Sequence, residues 1–516
     1  MPSLRHPNAL LLVALALGLC ANLLFYERTL GLSVPLFVGL GLVALLWLSQ
    51  AEGRRPSMTG LGLGIGALGF ATLSVLRDAP LLVALNLLAT LGLLLLMLVS
   101  YRSAALWRLA SWQLLGQLAW AIGQIGLRPL PVALRQASQL PLGATKLRAL
   151  APLGRGLLLA APVLLVFSGL LMLADEIFAS YMIQLFSLRL PFDLSAPVPQ
   201  ALIVTLFAWA CAGGMLTALH SRPEAELPAE GETQRLTLGI SLRFLGWGEA
   251  LTVLVAVDLL FASFMLVQGA YFFGGIDSLA RTGMSYADYA RRGFFELLAV
   301  ACLSLAMLWL LATITRRDLP AQARGFNLAS AAMVALVLGI LASAFQRMWL
   351  YEQAYGLTQL RLYTHSCMVW IALVLLLFLV ALFADRPRLF SYGSCASALA
   401  YLAILTLANP DAIIVQANIA RYLADPNALS MAEPNYWENR EAVDLAYLTQ
   451  LTSDATPALI AALPQLDPER QALLRDALSG RHAELEQIAA EDGLPSFHLA
   501  RARALAALRA ARIVAD

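Results

Sequence analysis

Apolar residues run along this chain in blocks of about 20, with polar residues gathered between the blocks. A block of about 20 apolar residues is the length a helix needs to cross the hydrocarbon core of a bilayer. Ten stretches meet or nearly meet that length: 8–25, 31–49, 58–76, 80–99, 156–174, 198–219, 246–270, 294–314, 327–346 and 366–384. An eleventh, 392–408, is shorter and stops at Asn409-Pro410. The pattern predicts an all-α fold: a polytopic transmembrane helical bundle of about 11 spans over 1–408, followed by a small all-helical C-terminal outer domain over 409–516. Gly60, Gly62, Gly64, Gly66 and Gly69 crowd the third span, which fits close helix packing better than a pore lining.

Residues 105–127 are apolar but carry Arg108, Trp107, Trp112, Trp120 and several glutamines. If they spanned, Arg128, Arg135, Lys146, Arg148 and Arg155 would move to the outer side, against the bias of basic loops toward the cytoplasm. Tryptophans also favour the bilayer boundary, so this segment reads as an interfacial helix.

Composition sharpens the class. The chain has 516 residues, 60% apolar and only 13% charged, with a mean hydropathy of +0.73. Soluble domains carry about 25% charged residues. A cytosolic enzyme, a disordered chain and a nucleic-acid binder with a basic surface are excluded. The five cysteines are scattered without a C-x-x-C pair, so neither a disulfide framework nor a zinc site is expected. Cys20 follows an apolar run, but Leu19 stands where lipoprotein cleavage needs a small residue.

Charge sets the orientation. With the N-terminus in the cytoplasm, inner loops hold eighteen basic residues and outer loops eight. That split predicts an inner-membrane protein with its C-terminus periplasmic or extracellular. The tail, 409–516, has 9 Arg against 15 acidic residues. Asp467-Pro468 marks a helix start, Gly480 and Gly493 mark stops, and Val443, Tyr447, Leu448 and Leu451 share one apolar face. An acidic tail is not expected to hold anionic headgroups by charge, though it could meet a membrane or periplasmic protein partner.

Few residues carry candidate chemistry. Asp258 lies near the middle of the seventh span, where an ionisable group is expensive and often functional. It reads either as a proton or cation relay or as an aspartate hydrogen-bonded to a neighbouring helix. Glu249, nine residues earlier, falls on the opposite helix face, and Asn22 and Asn86 are the other polar groups in spans. Two polar-aromatic clusters are placed at the outer boundary. In one, Tyr289, Arg292 and Glu296 share a helix face; in the other Arg347, Tyr351 and Tyr355 do, with Glu352 and Arg361 nearby and Gly356 ending the helix. Converging arginines suit an anionic headgroup, and Glu296 is expected to pair with Arg347 or Arg361. The plainer reading is an aromatic belt with snorkelling arginines. Asp175 and Glu176 add two outer carboxylates. No P-loop, H-E-x-x-H, G-x-S-x-G or dinucleotide fingerprint occurs, the five histidines are dispersed, and no sequence-related halves stand out, so no cofactor or metal is expected.

The segments 286–298 (Y-A-D-Y-A-R-R-G-F-F-E-L-L) and 351–361 (Y-E-Q-A-Y-G-L-T-Q-L-R) resemble signatures of a bacterial inner-membrane family of unknown function, the domain of unknown function 4153/4173 group. Arg77-Asp78-Ala79-Pro80 with Leu87, Ala174-Asp175-Glu176-Ile177-Phe178, Asp444-Leu445-Ala446-Tyr447-Leu448, and Ser453-Asp454-Ala455 with Pro457 resemble it too. The resemblance implies a multi-span protein with a helical tail and supplies no catalytic residue. The sequence leaves open whether the protein is an enzyme. Its leading reading is a non-enzymatic binding, sensing or transport module with an outer site for an anionic lipid or a partner. A transferase using a lipid-linked donor and a proton-coupled transporter through Asp258 are the alternatives; the first outer loop, about Tyr26 to Leu30, is short for a catalytic platform.

Overall fold

The computed structural model describes residues 5–103, 111–132, 197–221, 244–273, 294–425 and 445–513. The segment 156–174, Asp175, Glu176, Tyr289, Arg292 and Val443 lie outside them. Sixteen α-helices are described, with no sheet strand among the described residues. They are α1 (Pro7–Phe25), α2 (Ser33–Ala51), α3 (Met58–Leu76), α4 (Pro80–Ser100), α5 (Ser111–Leu127), α6 (Pro197–Leu219), α7 (Trp247–Phe273) and α8 (Phe294–Ile314), then α9 (Pro320–Tyr355), α10 (Gln359–Phe383) and α11 (Pro387–Ala408). The tail holds α12 (Pro410–Ala424), α13 (Leu445–Gln450), α14 (Thr456–Ala462), α15 (Pro468–Asp492) and α16 (Leu499–Ala510). Ten helices, α1–α4 and α6–α11, are long and apolar enough to cross a membrane. Their outward surfaces are apolar, as at Ile65 and Leu266, 72% and 76% exposed. The protein is a multi-pass membrane protein of all-α architecture.

The bundle has two groups of helices. In the first, α1–α4 and α6 close over Leu10, Leu48, Met97, Tyr101 and Leu216. Close approach of α3 to α4 needs small residues: a Cβ on Gly60 would stand 3.1 Å from the Tyr101 backbone. In bilayers such packing, rather than apolar burial, holds helices together. In the second group α7–α10 enclose Leu254, Leu308, Phe326, Met333, Val337 and Met368. Helix α11 bridges the groups. Trp370 of α10 stacks on Tyr401 at 5.6 Å, and on the other side Asn86 of α4 donates to Thr406 Oγ1 at 3.0 Å.

Two sequence expectations are corrected. The span expected at 327–346 is a 36-residue helix, α9, about 54 Å long at 1.5 Å per residue, so it reaches well past the bilayer core. Gln322 Oε1 accepts from the Asp318 and Leu319 amides at its start, and Gly356, at φ +81°, ends it. Gly480 does not stop a helix: α15 runs through it to Gly493, whose φ of +68° allows the turn. An isolated mid-helix glycine is only weakly destabilising, and the leucines flanking it, Leu474, Leu478 and Leu485, are buried. The start of α15 follows expectation, with Asp467 accepting from the Glu469 and Arg470 amides.

The tail helices have a core of their own, built from Ile414, Leu448, Leu451, Leu459, Leu474, Leu478, Ala504 and Leu508. They sit on one end of the bundle, the tail face, against the loops α1–α2, α3–α4 and α9–α10. Gly31 is required there: a Cβ on it would stand 2.7 Å from the Ser496 and Phe497 backbone, while Leu32 N donates to Phe497 O at 3.0 Å.

Candidate functional site

Among the described residues, the densest polar structure is the joint between tail and bundle. At the α3–α4 loop, Arg77 is buried; its Nε donates to Thr406 O (2.6 Å), Nη2 to Leu407 O (2.8 Å) and Nη1 to Asp454 Oδ1 (3.3 Å). The carbonyls of Thr406 and Leu407 belong to the last turn of α11, where helix carbonyls lack partners and a cation is favoured. Asp454 Oδ2 accepts from the Asp78 amide (2.6 Å). Asp78 returns the exchange: its carboxylate accepts from Ser453 Oγ (2.8 Å) and Arg501 Nε (2.9 Å). Two adjacent residues of the bundle thus interlock with two of the tail, and α16 adds a third strap through Arg501.

A second joint lies at the α9–α10 loop. Asn418 donates to Leu357 O (2.8 Å) and accepts from Leu357 N (3.0 Å), copying a backbone pair. Asp411, 1% exposed, accepts at Oδ1 from Gln359 (2.7 Å) and at Oδ2 from the Thr452 amide (3.1 Å) and hydroxyl (2.7 Å). Tyr447 OH accepts from the Gln359 amide (2.8 Å). Inside the tail, Arg481 gathers the carbonyls of Thr449 (2.5 Å) and Leu451 (2.6 Å) and the Thr456 hydroxyl (3.1 Å).

Burial governs the electrostatics of this joint. It raises the Asp454 carboxyl above its ordinary range, against the downward pull of the Asp78 amide and Arg77. It lowers the His498 imidazole, which faces Asp78, Arg501 and the Ser74 backbone, and it also lowers Arg481. Asp467 is held far below the carboxylate range by the amide and guanidinium of Arg470.

The residues singled out from the sequence are only partly brought together. Arg361 is buried and engaged: Nη1 donates to Tyr355 O (3.1 Å) and Gly356 O (2.5 Å), and its guanidinium lies 4.2 Å from the Tyr351 ring centre. It caps the end of α9. Tyr351 and Tyr355 lie with ring centres 5.0 Å apart. Arg347 is half-buried in the same turns. Glu352 faces His365 Nδ1 at 2.7 Å, while His365 Nε2 lies 3.1 Å from Phe345 O. Both ring nitrogens of His365 thus lie against oxygen atoms of α9. Glu296 is exposed, and among the described residues no ion pair joins it to Arg347 or Arg361. The cap carbonyls and the Tyr351 ring take up Arg361 instead.

Asp258 is half-buried on α7, within 20° of the positions of Trp247 and Met265 around the helix. Both of those residues touch α9: Trp247 Nε1 donates to Gln322 O (2.8 Å), and Met265 meets Gly339. Asp258 therefore faces the α7–α9 seam, and its buried Oδ1 has no hydrogen-bond partner among the described residues. The neighbouring-helix partner expected for a structural aspartate is not found there. Glu249, on the other face, accepts from the Gly246 amide at 2.9 Å. Among the described residues no cluster of His, Cys, Asp and Glu could hold a metal ion.

Arg77, Asp78, Asp454 and Arg501 were not foreseen as a site. Arg77-Asp78 and Ser453-Asp454 stand out only as parts of the motifs that carry the family resemblance, and more than 370 residues separate them. A family model described as a domain of unknown function (DUF4153) matches residues 61–462, a range that contains both pairs. No curated protein and no solved structure matches the chain.

Proposed function

The chain belongs to the DUF4153 family, which carries no assigned activity, and from that premise we propose that it is a non-enzymatic, multi-pass inner-membrane protein that holds its acidic helical tail as a fixed platform for a partner outside the cytoplasm. The observation that carries this reading is the double joint of Arg77-Asp78 with Ser453-Asp454 and Leu357 with Asn418. Buried polar contacts add little net stability but impose one geometry, because any other docking leaves charges unpaired. A tail held this way presents α15 with Glu469, Asp476 and Glu484 exposed on one side. That acidic side suits a basic protein surface. The engaged state of Arg361 and Glu352 favours a protein partner over an anionic headgroup at this face. The 18-to-8 distribution of basic residues supports the outward tail.

The test is site-specific photo-crosslinking from α15 of the full-length protein in its own membrane. Reversal of Glu469, Asp476 and Glu484 to arginine is expected to abolish a discrete adduct that the wild-type chain forms. Adducts indifferent to charge reversal, or turnover of a lipid-linked donor by the purified protein, would overturn the reading.

One observation favours a second reading, proton-coupled transport: the partnerless Asp258 oxygen inside the bundle. Proton flux in proteoliposomes that vanishes in Asp258→Asn would establish it. The transferase reading rests on Asp175 and Glu176, outside the described residues.

A further inference from the structure

At the end of the bundle away from the tail, three arginines from three segments gather on the last turn of α6. Arg54, in the α2–α3 loop, donates to Leu219 O. Arg102, just past α4, donates through Nη1 to Ser221 O (3.3 Å) and reaches Leu219 O (3.5 Å). Arg128, just past α5, donates to Leu216 O (3.0 Å) and Thr217 O (3.3 Å). These carbonyls, from Leu216 to Ser221, lie within about 7.5 Å along the helix axis at about 1.5 Å per residue, and Arg102 is close enough to act on the charge of Arg54. Arg5 joins them, its Nη1 lying 3.5 Å from where a Cβ on Gly53 would stand.

The end of a helix attracts cations, but its dipole is worth only about half a charge. The acid at this place is Glu52, buried, and both its oxygens are taken by backbone amides, of Arg5 (3.0 Å) and His6 (2.8 Å). Among the described residues no ion pair joins any carboxylate to Arg5, Arg54, Arg102 or Arg128. Burial, followed by the charge of Arg102, lowers Arg54 from its ordinary value; Glu52 pulls the other way, and Arg5 adds to the fall. Beside the cluster lies an apolar surface: Trp120, under Arg128 at 5.4 Å, and Leu127, within about 20° of it around α5, are both exposed. Cationic forks at the bilayer boundary next to exposed apolar side chains match a phosphate with an acyl chain attached.

We propose that Arg54, Arg102 and Arg128 hold the phosphate of one anionic phospholipid in the leaflet opposite the tail, with its acyl chain along Trp120 and Leu127. This site is independent of the platform reading, since it lies at the other end of the bundle and needs no partner protein. Arginines thus serve two purposes at once, tying α2–α3, α4 and α5 to α6 and leaving their remaining donors for the lipid.

The test uses full-length protein in micelles containing equal phosphatidylglycerol and phosphatidylcholine, read by native mass spectrometry. The wild-type chain is expected to retain one phosphatidylglycerol in preference to phosphatidylcholine, and the preference should fall about fivefold for each of Arg54→Gln and Arg102→Gln. Arg28→Gln, at the tail face, should leave it unchanged. Should the glutamine variants not fold, quenching of tryptophan fluorescence by brominated phosphatidylglycerol decides the matter on the folded chain. It should exceed quenching by brominated phosphatidylcholine, and the excess should vanish in Trp120→Phe. Equal retention of the two lipids, quenching without an excess, or saturation of the site by inorganic phosphate alone would overturn the proposal.

Discussion

Arg77 and Asp454 lie 3.3 Å apart across 377 positions of the chain, both buried, one closing a membrane helix pair and the other opening a helix of the tail. Their meeting fixes where the tail sits. Removing one partner strands the other, which costs about 3–5 kcal/mol for a buried pair. Asp454→Ala and Arg77→Met should each lower the thermal unfolding midpoint of the purified protein and speed proteolytic release of the tail. The double variant should lose clearly less than the two single losses combined. Strict additivity would show that the pair does not hold the joint.

Acid should loosen the same joint through His498. Its imidazole is lowered by burial when docked, so the neutral form is preferred in the docked state. Stability is therefore full above the ordinary histidine value of about 6.5 and falls as pH drops through and below it, because the undocked tail takes up the proton first. Asp454 works in the opposite sense: its raised carboxyl takes up a proton first when docked, so it returns some stability at still lower pH. Tail release should rise between pH 7 and 5 in the wild-type chain and flatten in His498→Gln. A flat wild-type profile would contradict this account.

Asp258 separates function from stability. Its buried oxygen has no partner among the described residues, so Asp258→Leu strands no hydrogen bond and should leave the midpoint unchanged or higher. A marked loss of stability in Asp258→Leu would instead reveal a structural partner. If the group relays protons, both Asp258→Leu and Asp258→Asn should remove the proton flux.

Orientation is open to a direct check. A reporter fused after residue 430 should report from outside the cytoplasm, with one fused after Gly53 inside. A cytoplasmic signal from the tail would reverse the assignment of both faces and move the proposed lipid site to the outer leaflet.

Much of this architecture is written in local pattern. Uninterrupted apolar runs need only their length to become spans, and ten of the eleven expected stretches coincide with the ten described spanning helices. Asp467-Pro468 and Asn409-Pro410 act through side-chain caps on the next few amides, and Gly356 through its own backbone, so their helix ends are legible without a fold. The resemblance to a family was likewise carried by contiguous motifs. Pairing was not legible. Arg361 and Glu352 look like a ligand site because their nearest sequence neighbours are aromatic and charged, yet the carbonyls of Tyr355 and Gly356 and the ring of His365 claim them. Arg77 could be assigned to Asp454, and Arg54 and Arg102 to the end of α6, only once distant segments were brought to the same place. A charged group is drawn to whichever counter-charge or carbonyl lies within a few ångströms, and that distance is set by helix packing, not by position along the chain.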